Sequence, residues 1–433
     1  MACVGGSSRP VVEAPPLPPG PPAIAERMRA ASGEPLGFAL GINEGLSVPA
    51  RHRGDLSGAE LATALGDDAR LVRGLGAAYV RGHTGNFPPV SCSELARRPG
   101  VFPEMDAWVR ALGSDLVGVA MVSPWPGNRT GNYTESYVPD DLPAYQRCVS
   151  ELVERYDGDG LEDMPGLSAP IRYWEVDNEP DLKNSNLPAR SRRAYDPKTF
   201  CKPDEYATVL VATSAAIRAA DPEARILALG LYRPHAELGL AYGRAVLDQP
   251  GVLESFDILS LHTYADDDGE TLARGIAKFR ALVSEKPIWV TEASVSMSKS
   301  TEAEQGRRVA AYVASAARAG AERLFWHTLA DPPAGRGGDA GLFSTNSLMR
   351  TAGSGAREDK PAGAVYRNLS ARLAVDDLTG AVPEGEGAVR ARSGAVLLYR
   401  GARTAEHGGT DLVTGLPVEP GAVAAAPAWL NSP

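Results

Sequence analysis

Eight short apolar runs recur along the chain, each followed by a segment with helical patterning. That alternation limits the fold more than any other feature. The runs are 37–42, 77–82, 116–122, 172–176, 225–230, 256–261, 287–291 and 323–327. Between and after them, helical stretches are expected over 59–73, 103–112, 142–156, 204–220, 238–247, 270–284, 302–319 and 362–373. Strands alternating with helices imply a parallel sheet with helical crossovers. Runs that are apolar almost throughout belong to a sheet buried on both faces. Eight such units fit a closed (β/α)8 TIM barrel better than an open doubly wound sheet. The open sheet would want a glycine-rich turn after its first strand, and Gly41-Ile42-Asn43-Glu44-Gly45 does not supply one. The stretch 335–340 matches GxGxxA in letters, but it follows the last strand and opens no helix.

Around this barrel, assigned to 34–375, the two ends read differently. From 376 to 433 the chain turns to glycine-rich turns and short alternating segments such as Ala395-Val396-Leu397-Leu398-Tyr399. These are too few strands for an independent domain and are expected as a β appendage packed on the barrel. Residues 1–33 form a proline-rich stretch, with seven prolines between Pro10 and Pro22. Such a composition behaves as an extended tether and cannot pack a core. Met1-Ala2-Cys3 followed by Gly and Ser resembles the mature start of a bacterial lipoprotein, with Cys3 as the lipid anchor and its signal trimmed. The alternative is an unstructured terminus with an incidental cysteine. The lipoprotein reading places the protein outside the cytoplasm, lipid-anchored or secreted. There a Cys148–Cys201 disulfide is one allowed pairing.

A formal net charge of −10 leaves no basic footprint for nucleic acid. No CxxC or HExxH motif appears and the six histidines are scattered, so neither a metal nor another cofactor is expected.

In a barrel of this kind the chemistry lies at the carboxyl ends of the strands. Glu179 stands at the end of strand four in Tyr173-Trp174-Glu175-Val176-Asp177-Asn178-Glu179-Pro180, and Glu292 ends strand seven in Pro287-Ile288-Trp289-Val290-Thr291-Glu292. Two carboxylates facing one cleft can cleave a glycosidic bond with retention if they lie about 5–5.5 Å apart. On the same rim stand Asn43 (strand one), Arg81 and His83 (two), Trp125 (three), Asn178 (four), His262 and Tyr264 (six) and Trp326 (eight). Aromatic faces can stack on a sugar ring while amides, Arg and His bind its hydroxyls. These residues are the candidates for substrate binding. His327 and Asp331 are expected to be structural. The acid/base must be protonated at the start, which requires its pKa to be raised to about 6–7. The nucleophile must be ionised, and Arg81 and Tyr264 are its candidate partners.

Trp174-Glu175-Val176-x-Asn178-Glu179-Pro180-Asp181-Leu182, together with Thr291-Glu292, resembles the retaining glycosidases of clan A. The resemblance implies that Glu179 is the acid/base, Asn178 a ligand of the sugar 2-hydroxyl and Glu292 the nucleophile. Tyr79-Val80-Arg81-Gly82-His83, the run 256–264, Gly341-Leu342-Phe343 and Lys360-Pro361-Ala362 narrow it towards glycoside hydrolase family 39, the β-xylosidase and α-L-iduronidase family. The chain departs from that family at Asp177, where a Trp is usual, and at Ala293 and Ser294. A third acid beside the pair would disturb both, so Asp177 is expected to turn away or to pair with a cation. Two functions follow: a retaining O-glycosidase acting on oligosaccharide or polysaccharide, β-xylosidase-like or a related exo- or endo-glycanase, and a carbohydrate-binding lipoprotein on a barrel without turnover.

Overall fold

The computed structural model describes residues 37–46, 58–82, 103–122, 137–139, 141–183, 201–295, 300–331, 345–352 and 356–432. Eight parallel strands close into a barrel in sequence order: β1 Ala39–Asn43, β2 Tyr79–Arg81, β3 Val117–Val122, β4 Tyr173–Val176, β5 Arg225–Leu231, β6 Ile258–Tyr264, β7 Ile288–Ser294 and β8 Arg323–His327. β8 returns to β1 in register, pairing Gly41 with Phe325 and Asn43 with His327. The expected (β/α)8 architecture is therefore present.

The outer layer contains α1 Gly58–Gly74, α2 Pro103–Leu112, α3 Leu142–Glu154, α4 Pro203–Ala220, α5 Glu237–Leu247, α6 Glu270–Arg280, α7 Glu302–Arg318 and α8 Pro361–Leu373. Local chemistry sets their starts. At α7 the Glu304 amide donates to Thr301 Oγ1 at 3.2 Å, and the Glu304 carboxylate accepts from the Thr301 amide at 2.7 Å. This reciprocal pair satisfies two amides that would otherwise lack helical partners.

Inside the barrel the side chains form layers. At the lower level Tyr79, Val119, Tyr173, Leu227, Ile258, Trp289 and Phe325 form one apolar cluster with Ala39 and Ala78. Two residues further along several of these strands the chemistry changes to Arg81, Glu175, Ser260 and Thr291, all fully buried. The two-residue period of a strand therefore stacks a polar layer directly on an aromatic floor.

Beyond the barrel, β9 Val382–Pro383, β10 Ala388–Arg390, β11 Val396–Leu398, β12 Gly409–Asp411, β13 Pro417–Val418 and β14 Ala428–Leu430 form a six-stranded antiparallel sheet in the order β9-β10-β11-β14-β12-β13, with β14 inserted between β11 and β12. Leu397, Leu412 and Trp429 join the main core cluster of the barrel. Arg400 reaches Asp268, which also pairs with Arg307 of α7 at 2.8 Å. The amide of Phe38 donates to Asp377 Oδ1 at 2.8 Å, tying the entry of β1 to the C-terminal region.

One cysteine expectation fails. Cys201 is a buried free thiol beneath the Tyr242 hydroxyl, which donates to its Sγ at 3.6 Å. Cys148 is disulfide-bonded, and its partner therefore lies outside the described residues. Cys201 sits in the apolar core at the start of α4, so sequence distance gave no guide to its neighbours. Cys3 and the 1–33 segment also lie outside the described residues. Among the described residues no helix is long and apolar enough to cross a membrane.

Candidate active site

β4 ends in a distorted turn. Asp177 and Glu179 both adopt left-handed backbone, with φ of +64° and +48°. Non-glycine residues seldom take this conformation, and where they do the surrounding structure must hold them. Here the Asp177 amide donates to Val122 O at 2.8 Å and the Glu179 amide to Gly230 O at 3.1 Å. The two neighbouring strands thus pin the turn that presents Asn178 and Glu179 at the cleft.

β7 is irregular at the same level. Its pairing slips between Leu261 and His262 on one side and between Val290 and Ala293 on the other. Such slips re-aim side chains. Thr291 and Glu292, although adjacent, both reach the central polar group: Thr291 contacts Glu175 and His262, and Glu292 contacts Arg81 and Tyr264. β6 and β7 extend to Tyr264 and Ser294, so Glu292, His262 and Tyr264 lie within strands and not on the loops after them.

Arg81 is the hub. Its Nε donates to Glu175, Nη1 donates to Asn43 Oδ1 at 3.0 Å and to Glu292 Oε1 at 2.6 Å, and Nη2 donates to Asn178 Oδ1 at 3.0 Å. A planar guanidinium with a fixed fork of donors suits this bridging role better than an ammonium. Burial works against its charge, but Glu175 and Glu292 more than compensate and hold its pKa above the ordinary value.

Glu292 receives a second donor from the Tyr264 hydroxyl. Burial raises the Tyr264 pKa, and the Glu292 charge raises it further, so the phenol keeps its proton. Glu179 behaves differently. Burial pushes its pKa up from 4.5 to about 7; the His262 hydrogen bond opposes this and the Glu292 charge reinforces it. His262 Nδ1 lies 3.0 Å from Glu179 Oε1 and 3.6 Å from Glu292 Oε2, between the two carboxylates. Burial lowers the His262 pKa, but Glu292 and Glu179 outweigh it and the net shift is upward. One oxygen of each acid and one His262 nitrogen lie within 4.8 Å of one another.

Atoms this close could accommodate a cation, but His262 Nδ1 is already engaged with Glu179 and Arg81 already supplies positive charge to Glu292. Glu154, Asp157 and Asp159 form a second cluster of that spacing, away from the barrel mouth at the end of α3.

Of the expected site residues, Asn43, Arg81, Asn178, Glu179, His262, Tyr264 and Glu292 converge on one constellation. Asn43 also contacts His327, its Nδ2 lying 2.9 Å from Nδ1. His83 and Trp125 lie outside the described residues. Trp326 does not line the cleft. It is fully buried, its indole N–H donates to Asn346 O at 3.1 Å, and its ring packs edge-on to Tyr312 of α7 at 6.0 Å. Strand alternation turns Trp326 towards the helices and brings His327 to the site, where its ring meets Tyr264 edge-on at 5.7 Å. Burial lowers the His327 pKa to about 4, so the ring is neutral near pH 7.

Asp177 is fully buried and accepts a hydrogen bond from the Tyr137 hydroxyl. Burial raises the pKa values of Tyr137, Tyr145 and Tyr206, and the Asp177 charge raises them further. Asp177 belongs to a tyrosine pocket beside β4, with the Tyr137 phenol among its partners.

Two site residues were absent from the sequence reading. Glu175 is fully buried and accepts from Arg81, from Ser260 Oγ and from Thr291 Oγ1 at 3.1 Å. Tyr232, half-buried after β5, stands with its ring 6.1 Å from Tyr264 and extends the aromatic wall. A lone acid inside an otherwise apolar strand signals a buried partner, and Glu175 offered that signal.

Residues 178–355, which include both acids, match the family model described as the glycosyl hydrolase catalytic core. The protein is a glycoside hydrolase. Its fold is shared with a glucosidase from Croceicoccus marinus (TM-score 0.55, 15% identity, 89% of this chain and 82% of that one). A family 39 glycoside hydrolase from Bacteroides cellulosilyticus WH2 superposes with TM-score 0.55 at 15% identity, covering 86% of this chain and 69% of that one. A family 39 β-xylosidase from Caulobacter crescentus gives 0.51 at 19% identity, over 83% and 76%. No curated protein matches the chain in sequence. The glycosidase likeness is thus one of fold, with the sequence match confined to the segment that carries the acids and strands five to eight.

Proposed function

We propose that this glycoside hydrolase is a retaining O-glycosidase that works by double displacement on a carbohydrate chain. The observation that carries the reading is the approach of the Glu179 and Glu292 carboxylates to within 4.8 Å at their oxygens. Inverting enzymes keep their carboxyl groups about 6.5–9.5 Å apart to admit a water, whereas retaining enzymes need about 5–5.5 Å.

The environments divide the labour. Glu292, held by Arg81 and Tyr264, attacks the anomeric carbon, while Glu179 delivers its proton to the departing glycosidic oxygen. Glu179, now ionised, then takes a proton from water as that water breaks the glycosyl ester on Glu292. A β-xyloside is the first substrate to try, given the family 39 resemblance at strands two, four and six.

We also place the enzyme outside the cytoplasm, anchored by lipid on Cys3. Support comes from the Cys148 disulfide, since such bonds persist in oxidising compartments.

The test is a panel of aryl glycosides followed by two variants. Glu292→Ala should abolish turnover, and Glu179→Ala should lose it except where azide restores cleavage of substrates with good leaving groups. If the wild-type protein binds sugars but turns over no member of the panel, the enzymatic reading fails.

A further inference from the structure

Beneath the two acids runs an unbroken chain of hydrogen bonds that starts on the buried carboxylate of Glu175. Thr291 Oγ1 donates to Glu175 Oε1 at 3.1 Å and lies within hydrogen-bond reach of Ser260 Oγ, which also contacts Glu175. The other side of Thr291 Oγ1 meets His262 Nε2 at 3.0 Å, and His262 Nδ1 meets Glu179 Oε1 at 3.0 Å. A Cβ on Gly230 would stand 3.3 Å from Glu175 Oε1 and 3.6 Å from His262 Nε2, so this glycine leaves room for the chain.

Proton counting gives the chain a direction. An ionised carboxylate only accepts, and a threonine hydroxyl has one proton to give. While Thr291 gives that proton towards Glu175, its oxygen can only accept from His262, which therefore carries hydrogen on Nε2. In the neutral ring Nδ1 then presents a lone pair to Glu179, and the matching partner is a protonated carboxyl; only when Glu179 is ionised does the ring donate from Nδ1, the state in which His262 pulls the Glu179 pKa down and its own is pushed up. The opposite tautomer, with hydrogen on Nδ1, would donate to Glu179 and favour its ionised form, the wrong state for protonating a leaving group.

We propose that Glu175 is a positioning residue which, through Thr291, fixes the ring proton of His262 on Nε2 and so keeps the acid proton on Glu179. This rests on the reading of Glu179 as the acid/base. Glu175 touches neither substrate nor the reacting atoms in this scheme. The other titratable groups facing His262 and Glu179 are Arg81 from β2, Asp181 beyond β4, Tyr264 from β6, Glu292 from β7 and His327 from β8. None of these contacts Thr291 in the described hydrogen bonds.

The substitution Glu175→Gln reverses the chain. Its amide oxygen must face Arg81, so the NH2 faces Thr291, whose hydroxyl is then free to donate to His262 Nε2. Thr291→Val breaks the same link without changing any charge, and Thr291→Ser preserves it. For E175Q and T291V the alkaline limb of kcat/KM should move to lower pH by about one unit, a roughly tenfold loss above neutrality. The loss should be greatest for substrates with poor leaving groups, and T291S should keep the wild-type profile. Nitrogen NMR of His262 provides a readout independent of turnover: Nε2–H in wild type and T291S, Nδ1–H in E175Q. A wild-type ring protonated on Nδ1 alone, or a T291V profile superimposable on wild type with a folded protein, would overturn the proposal. Absence of turnover with the expected tautomers would instead count against the reading of Glu179 as a catalytic acid.

Discussion

Replacing Arg81 with Met tests whether one cation holds the site together. The guanidinium is fully buried and donates to two carboxylates, Glu175 and Glu292, that are 0% and 4% exposed at their side chains. It also orients Asn43 and Asn178. Removing one partner of a buried ion pair costs about 3–5 kcal/mol, because a charge is left uncompensated. Here two charges lose the same partner, so a destabilisation on the order of 5 kcal/mol is expected, against a typical total of about 5–15 kcal/mol. Urea unfolding of wild type, R81M and the double variant R81M/E175Q gives the comparison. Neutralising Glu175 should return part of the lost stability. Activity should not return, because Glu292 still lacks its Arg donor, and loss of such a donor costs about 10²–10³-fold in turnover. An R81M protein within about 1 kcal/mol of wild type, or with kcat/KM within tenfold, would refute the reasoning.

The remaining predictions concern protons and packing. The alkaline limb of the kcat/KM profile should fall near pH 7, where Glu179 loses its proton, and it should vanish in the azide-rescued Glu179→Ala variant. The same residue imposes a stability gradient. Its folded pKa is raised from 4.5 to about 7, so its contribution is complete below 4.5 and is lost as the pH rises through 7. Glu179→Gln should flatten the stability curve across that window by up to about 3 kcal/mol, read by denaturant unfolding at each pH. Trp326→Phe should lower stability with little change in KM, since Trp326 packs against Tyr312 and not the cleft. His327→Ala should raise KM, and the two variants separate the faces of β8 in a single kinetic and unfolding comparison.

The barrel was legible because each of its eight strands is a run apolar almost throughout, and the acids were legible because they stand near the carboxyl ends of two of them. The same property hid the details. A strand buried on both faces shows no polar alternation, so Arg323-Leu324-Phe325-Trp326-His327 does not reveal which side each residue takes. Closure against β1 assigns His327 to the site and Trp326 to the helix layer. Glu175 was overlooked for a related reason: its partner Arg81 is 94 residues away and is brought to it only by the closed sheet. Asp177 drew attention as a third charge near the acids, but left-handed backbone turns it to Tyr137. The slips in β7 that let Thr291 and Glu292 both serve the site leave no trace in composition or periodicity.

The central claim is that Glu179 and Glu292 act together as acid/base and nucleophile on one sugar. Proton NMR of the hydrolysis of an aryl glycoside by the wild-type enzyme, recorded before the product mutarotates, tests it most directly. The account predicts that the first sugar released has the anomeric configuration of the substrate. Release of the opposite anomer would mean that water attacks directly, and the paired-carboxylate mechanism would be wrong.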